Sequence, residues 1–112
     1  MAIAGTFPEA GVRIALDLRA ADAAAASYRG EAFTPLARYE LSLFVDATTG
    51  KGKASVERSF ARDGQGAAPA LEAADLAFVA ALGTQLWRQF KAPADQGGGQ
   101  WSRRIQRWRG PK

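Results

Sequence analysis

The residues best suited to chemistry lie at the end of the chain, in Trp101-Ser102-Arg103-Arg104-Ile105-Gln106-Arg107-Trp108-Arg109. These nine residues hold four arginines and two tryptophans. Guanidinium groups bind phosphate oxygens through paired N–H donors, and indole rings stack on bases or settle at an apolar–aqueous boundary. Trp101, Arg103, Arg104, Arg107, Trp108 and Arg109 are therefore the leading candidates for contact with an anionic partner. Trp87 and Arg88 extend the same surface if the stretch folds back on the preceding helix. Lys51 and Lys53 add charge from the turn Gly50-Lys51-Gly52-Lys53, though this turn lacks the Gly-x-x-x-x-Gly-Lys-Ser/Thr spacing of a phosphate loop.

The charge distribution points the same way. Residues 1–85 carry 8 basic and 10 acidic side chains, whereas residues 86–112 carry 7 basic and one acidic, Asp95. The net charge of +4 is thus gathered at the end of the chain, as expected for a segment with an anionic partner. Part of the arginine content reflects compositional bias, since the chain is alanine-rich, prefers Arg to Lys and lacks asparagine.

Other chemistries find little support. The chain has no cysteine and no histidine, which removes disulfides, Cys/His zinc sites and thiol or imidazole catalysis. Ser27, Ser42, Ser55, Ser59 and Ser102 have no catalytic motif around them. Glu72 and Asp75 complement the positive end of a helix dipole more simply than they form a carboxylate pair. No enzyme activity and no cofactor are expected. Met1-Ala2-Ile3-Ala4-Gly5 lacks the basic and apolar regions of a signal peptide, so a cytoplasmic location is expected.

These residues must be positioned by a small scaffold. With 112 residues and 47% hydrophobic content, one domain with one core is expected. Val12, Ile14, Leu16 and Leu18 alternate with other residues, the period of a half-buried strand. Residues 19–27 are alanine-rich and fit one or two helical turns or a loose connection, and Tyr28–Phe33 fits a short strand. Residues 36–46 alternate most clearly, with Tyr39, Leu41, Leu43 and Val45 on one side and Phe44 stranded on the polar side. Residues 53–61 return as a strand; pairing Asp46 with Lys53 sets Tyr39 opposite Phe60 and Leu43 opposite Val56.

A long helix is predicted from about Pro69 to Lys91, with Gly83 in its interior either as a point of close approach to the sheet or as a tolerated accident costing about 1 kcal/mol. Ala94–Gln100 reads as a glycine-rich linker. The final stretch fits a short helix capped by Ser102 and stopped by Gly110 and Pro111, with Trp101, Ile105 and Trp108 on one stripe. Such a helix is too short to stand alone, so the stretch must dock: on the protein's own sheet or helix, on nucleic acid, on an acidic protein or, less favoured, on a membrane surface.

The expected architecture is α+β: an antiparallel sheet of three or four strands with one long helix packed on a face and a short basic C-terminal arm. Its domains divide into residues 6–93 and a linker and arm over 94–112. Strands followed by a long helix resemble double-stranded RNA-binding domains in element order. The basic residues at the start of that family's second helix are replaced here by Glu72 and Asp75, so no family is assigned. The expected function is a non-enzymatic binding module for an anionic partner, nucleic acid first. The alternative is a structural or adaptor protein whose arm packs as part of the fold.

Overall fold

A computed structural model describes residues 7–64, 66–96 and 98–110. Its elements are β1 (Val12–Ala21), β2 (Ala25–Phe33), β3 (Ala37–Asp46), β4 (Gly52–Ala61), α1 (Ala73–Lys91) and β5 (Arg104–Arg109). The strands form one antiparallel sheet in the order β4-β3-β2-β1-β5. The class is α+β, as the periodicities predict, but with five strands instead of three or four. The expectations placed on Met1–Gly5 and Pro111 lie outside the described residues.

The two added lengths of strand have different causes. Residues 19–27 are neither helix nor loose connection. β1 runs on to Ala21, the Asp22 carboxylate accepts from the N–H groups of Ala24 (2.8 Å) and Ala25 (3.0 Å), and β2 begins at once. A few alanines cannot nucleate a helix in isolation, whereas a tight Asx turn gives both strands partners immediately. The final stretch is likewise not helical. It pairs with β1 from Asp17↔Arg104 to Val12↔Arg109, so β1 supplies the backbone partners that a short helix would lack.

One face of the sheet is the core. Val12, Ile14, Leu16, Tyr28, Tyr39, Leu41, Leu43 and Val45 are buried there beneath Val79, Leu82 and Leu86 of α1, with Trp101 and Ile105 closing the β5 side. The helix starts at Ala73, four residues after Pro69, with Glu72 as an extended N-cap that makes no side-chain capping bond. Pro69 serves otherwise: its carbonyl accepts from the buried Tyr39 hydroxyl at 2.5 Å. The Tyr28 hydroxyl reaches the Ser102 carbonyl at 2.7 Å. Two buried phenols thus hold the segments that enter and leave the helix.

The linker region also has local order: Ala94–Gln96 is a 3₁₀ turn, and the Gly98 and Gly99 N–H groups bond to the carbonyls of Pro93 (3.0 Å) and Phe90 (2.8 Å).

Burial pushes the Tyr28 hydroxyl up from 10.0 to about 12. Tyr39 is raised too, chiefly by burial, which outweighs a lowering hydrogen-bond contribution from Thr34, with the charge of Asp75 adding a smaller rise. Both phenols are neutral when protonated. Their stabilisation is therefore complete below pH 10 and is lost as pH rises towards 12, because the unfolded chain ionises first. A denaturation series across that window will show falling stability, and Tyr28→Phe will flatten the fall.

The β3–β4 hairpin pairs Phe44 with Lys53 and Leu41 with Val56, two residues away from the expected register. An even shift keeps every side chain on its face, so the apolar pattern could not detect it. A β-bulge then breaks the ladder between Glu40↔Arg58 and Leu41↔Val56. Beyond it Phe60 faces Arg38 instead of Tyr39, on the side away from the helix. Phe44 is 48% exposed on that same side, as its place among polar residues predicts.

Candidate functional site

The helix covers only one side of the sheet, so the alternate residues of all five strands form an open second face. Strand pairing arranges them in rows. The first crosses the whole sheet as Trp108, Arg13, Phe33, Arg38 and Phe60, aromatic and arginine in turn. The Arg38 guanidinium lies 4.1 Å from the centre of the Phe60 ring. Phe7 covers Phe33 edge-on at 5.4 Å and is itself capped by Arg62 at 5.1 Å. Part of this row is thus closed by the protein's own side chains, and Trp108, 59% exposed, is its most open aromatic.

The middle of the face is an ionic lattice. Glu31 sits directly opposite Glu40, a repulsive pairing that Arg38 relieves by reaching both carboxylates, at 2.6 and 3.4 Å. Arg58 also holds Glu40, at 2.8 Å. The bulge on β4 places Glu57 and Arg58, consecutive residues, on this one face. In the next row Arg104 contacts Asp17 at 2.9 Å, with Arg29 on Asp17's other side in register.

Towards the β1–β2 turn the face becomes cationic. Arg29 is held only loosely, 3.7 Å from Glu57, and both side chains are well exposed. Arg19 stands at an irregularity in β1 where the register slips between Leu18 and Ala20. The Arg19 and Lys53 side chains have no hydrogen-bond or ion-pair partner among the described residues. Between them lie Ser27, Phe44 and the Ser42 and Ser55 hydroxyls, 2.8 Å apart. Two depressions of about 370 and 340 Å³ share Arg19 and Arg29 as walls. A third, of about 500 Å³, opens near the start of α1, where buried Asp75 and Arg109 bind each other at 2.7 Å. That pair neutralises its own site and ties β5 to the helix.

The structure disperses the candidates of the final stretch. Trp101 is a core residue, 8% exposed, stacked on Phe90 with ring centres 4.4 Å apart. Arg104 and Trp108 reach the open face, where Lys53 also lies, on the opposite edge strand from β5. Arg107 and Arg109 project to the helix side: Arg109 to Asp75, and Arg107 beside Gln85 and Gln89 with its guanidinium on the Gln106 carbonyl. Arg103 is exposed, and its carbonyl accepts from the Leu18 N–H. Arg88 is exposed on the last turn of α1.

Trp87 is partly buried against the core. Its ring lies over Gly50, and its Nε1 donates to the Ala47 carbonyl at 2.8 Å. Gly50 and Gly52 accordingly receive the helix, while Lys51 stays exposed in the turn.

Sequence reasoning missed Arg13, Arg19, Arg29, Arg38, Arg58 and Phe60. Each lies at a polar position of a strand, but only the pairing of strands gathers them. Among the described residues no three His, Cys, Asp or Glu side chains gather to hold a metal ion, and no helix is long and apolar enough to cross a membrane. No protein-family model, curated protein or solved structure matches the chain.

Proposed function

We propose that this chain is a non-enzymatic binding module that engages an extended anionic partner, nucleic acid first, through its open sheet face and not through a free C-terminal arm. One observation carries the reading. The helix-free face displays Arg19, Arg29, Lys53, Arg58 and Arg104 together with the exposed rings of Phe44 and Trp108. A flat cationic surface with aromatic rings suits a polyanion whose bases can stack.

The sheet edges favour the face over strand addition by a partner. β5 carries Arg104, Arg107 and Arg109 on a short edge strand, and β4 is bulged and charged at Lys53, Glu57 and Arg58. Both are devices that oppose edge-to-edge pairing. An adaptor role through protein contacts is the second reading, favoured by the burial of Trp101 and Ile105, which makes the final stretch part of the core.

The test is binding of a fluorescent oligonucleotide across a salt series. Affinity should fall linearly on logarithmic axes, with a slope near −0.7 for each phosphate neutralised on a single strand. Replacing Arg19, Arg29 and Arg104 together by alanine should flatten the slope by about two to three such steps, whereas Arg88→Ala should not. Absence of oligonucleotide binding at low salt would turn attention to the adaptor reading.

A further inference from the structure

The cationic corner of the open face is more specific than a charged surface. Phe44 projects from β3 with Ser27 and Lys53 as its register neighbours on either side. Such a ring, 48% exposed in the interior of a sheet, covers no core and has no aromatic stacking partner among the described residues. Beside it the Ser42 and Ser55 hydroxyls lie 2.8 Å apart and face the Glu57 carboxylate, which accepts at 3.5 Å from Ser42 and 3.3 Å from Ser55. Arg19, Arg29 and Lys53 surround the depression of about 340 Å³ that contains them. That volume is at the small end of ligand sites, enough for one base and its phosphate but not for a duplex.

The geometry points to a nucleotide subsite for single-stranded nucleic acid. One unpaired base stacks on Phe44, and its phosphate is held by Arg19, Arg29 and Lys53. This rests on the binding function proposed above and assigns it a strand type and a contact point. Stacking requires the flat face of a base, which a duplex keeps occupied by its neighbours; single strands offer it freely. Arg29 is available because its bond to Glu57 is long and exposed, so a phosphate can displace it at little cost.

The test uses anisotropy of a labelled single-stranded oligothymidine, a duplex of equal length and a free mononucleotide as competitor, with the full chain. The expected result is tighter binding of the single strand than of the duplex. Phe44→Ala and Phe44→Leu should each weaken it by about tenfold, the scale of one base–aromatic stack, without changing the salt slope, and Phe44→Trp should retain it. Lys53→Ala should lower the salt slope by about one step.

Thermal unfolding of each variant should match the parent, since Phe44 is a surface ring. Equal affinity for Phe44→Leu and the parent, or for duplex and single strand, overturns the subsite while leaving the open face as a polyanion surface. A mononucleotide that competes as well as the strand overturns the single-strand assignment in favour of a small-ligand pocket. No binding of any oligonucleotide at low salt removes both the subsite and the function it rests on.

Discussion

Trp101→Ala will lower the free energy of unfolding by about 3–5 kcal/mol, the range for truncating a large buried aromatic. Trp108→Ala, seven residues on in the same basic stretch, will change it by less than about 1 kcal/mol. Trp101 is buried and lies nearly parallel to Phe90, at 13° between ring planes, so its loss opens a void between the end of α1 and β1. The effect spreads, because Ser102 beside it receives the Tyr28 hydroxyl and β5 follows directly. Trp108 is largely exposed, and its Nε1 makes only a long 3.3 Å bond to the Ala10 carbonyl.

Trp101→Phe supplies an internal control. The Trp101 Nε1 is buried without a hydrogen-bond partner among the described residues. Removing that donor recovers a desolvation cost of about 1–3 kcal/mol, which offsets much of the lost ring volume. Denaturant unfolding followed by circular dichroism checks all three variants. Equal stability for Trp101→Ala and Trp108→Ala would show that β5 does not pack as described. A soluble quencher gives a second reading: it should reach Trp108 well before Trp101.

Gly52→Ala will destabilise by about 2–3 kcal/mol, although alanine replaces glycine inside a strand. In an open strand the change would stabilise by about 0.5–1 kcal/mol, since glycine loses more freedom on folding. Here an added Cβ would come within 2.2 Å of the Ala80 carbonyl oxygen and 3.3 Å of the Gly83 Cα. Both contacts are helix backbone, which has no rotamer to move aside. The helix must lift off β4, loosening Val79, Leu82 and Leu86 above the sheet. Gly83→Ala meets the Val45 Cγ2 at 3.0 Å, the Gly52 Cα at 3.1 Å and the Leu43 Cδ1 at 3.2 Å, contacts that shifts of a few tenths of an ångström relieve. Its gain in helix propensity of about 1 kcal/mol should leave it much closer to neutral. Thermal denaturation of the two variants side by side reads the difference. A stabilised Gly52→Ala would mean that the helix does not approach the sheet this closely.

These two sites show what local pattern can and cannot reveal. Glycines at 50 and 52 beside lysines raise the idea of an anion-binding turn, yet the backbone freedom and lack of side chain are used by Trp87 and Ala80. Trp101, Ile105 and Trp108 fall at helical spacing, yet they belong to a strand and its approach. In β5 alternation puts Ile105, Arg107 and Arg109 on one side and Arg104, Gln106 and Trp108 on the other. Only one inward residue is apolar, because Arg109 finds Asp75 and Arg107 lies at the margin beside Gln85 and Gln89. A strand whose inner face is mostly arginine carries no period-two signal in its own sequence.

The sequence by itself determined the α+β class, the alternation that makes β1 and β3 half-buried strands, the long amphipathic helix and the concentration of positive charge near the end. These follow from periodicity and composition, which are local properties. The tertiary structure decided what the basic, aromatic stretch Trp101–Arg109 does. Backbone pairing with β1 recruits its last six residues as a fifth strand, and strand alternation then distributes its side chains. Trp101 goes to the core, Arg109 to a buried carboxylate, and Arg104 and Trp108 to the open face. There they join Arg13, Arg19, Arg29, Phe44 and Lys53 from the four other strands. The physical reason is that a sheet surface is assembled across strands: neighbours on it are about 5 Å apart in space but tens of residues apart in the chain.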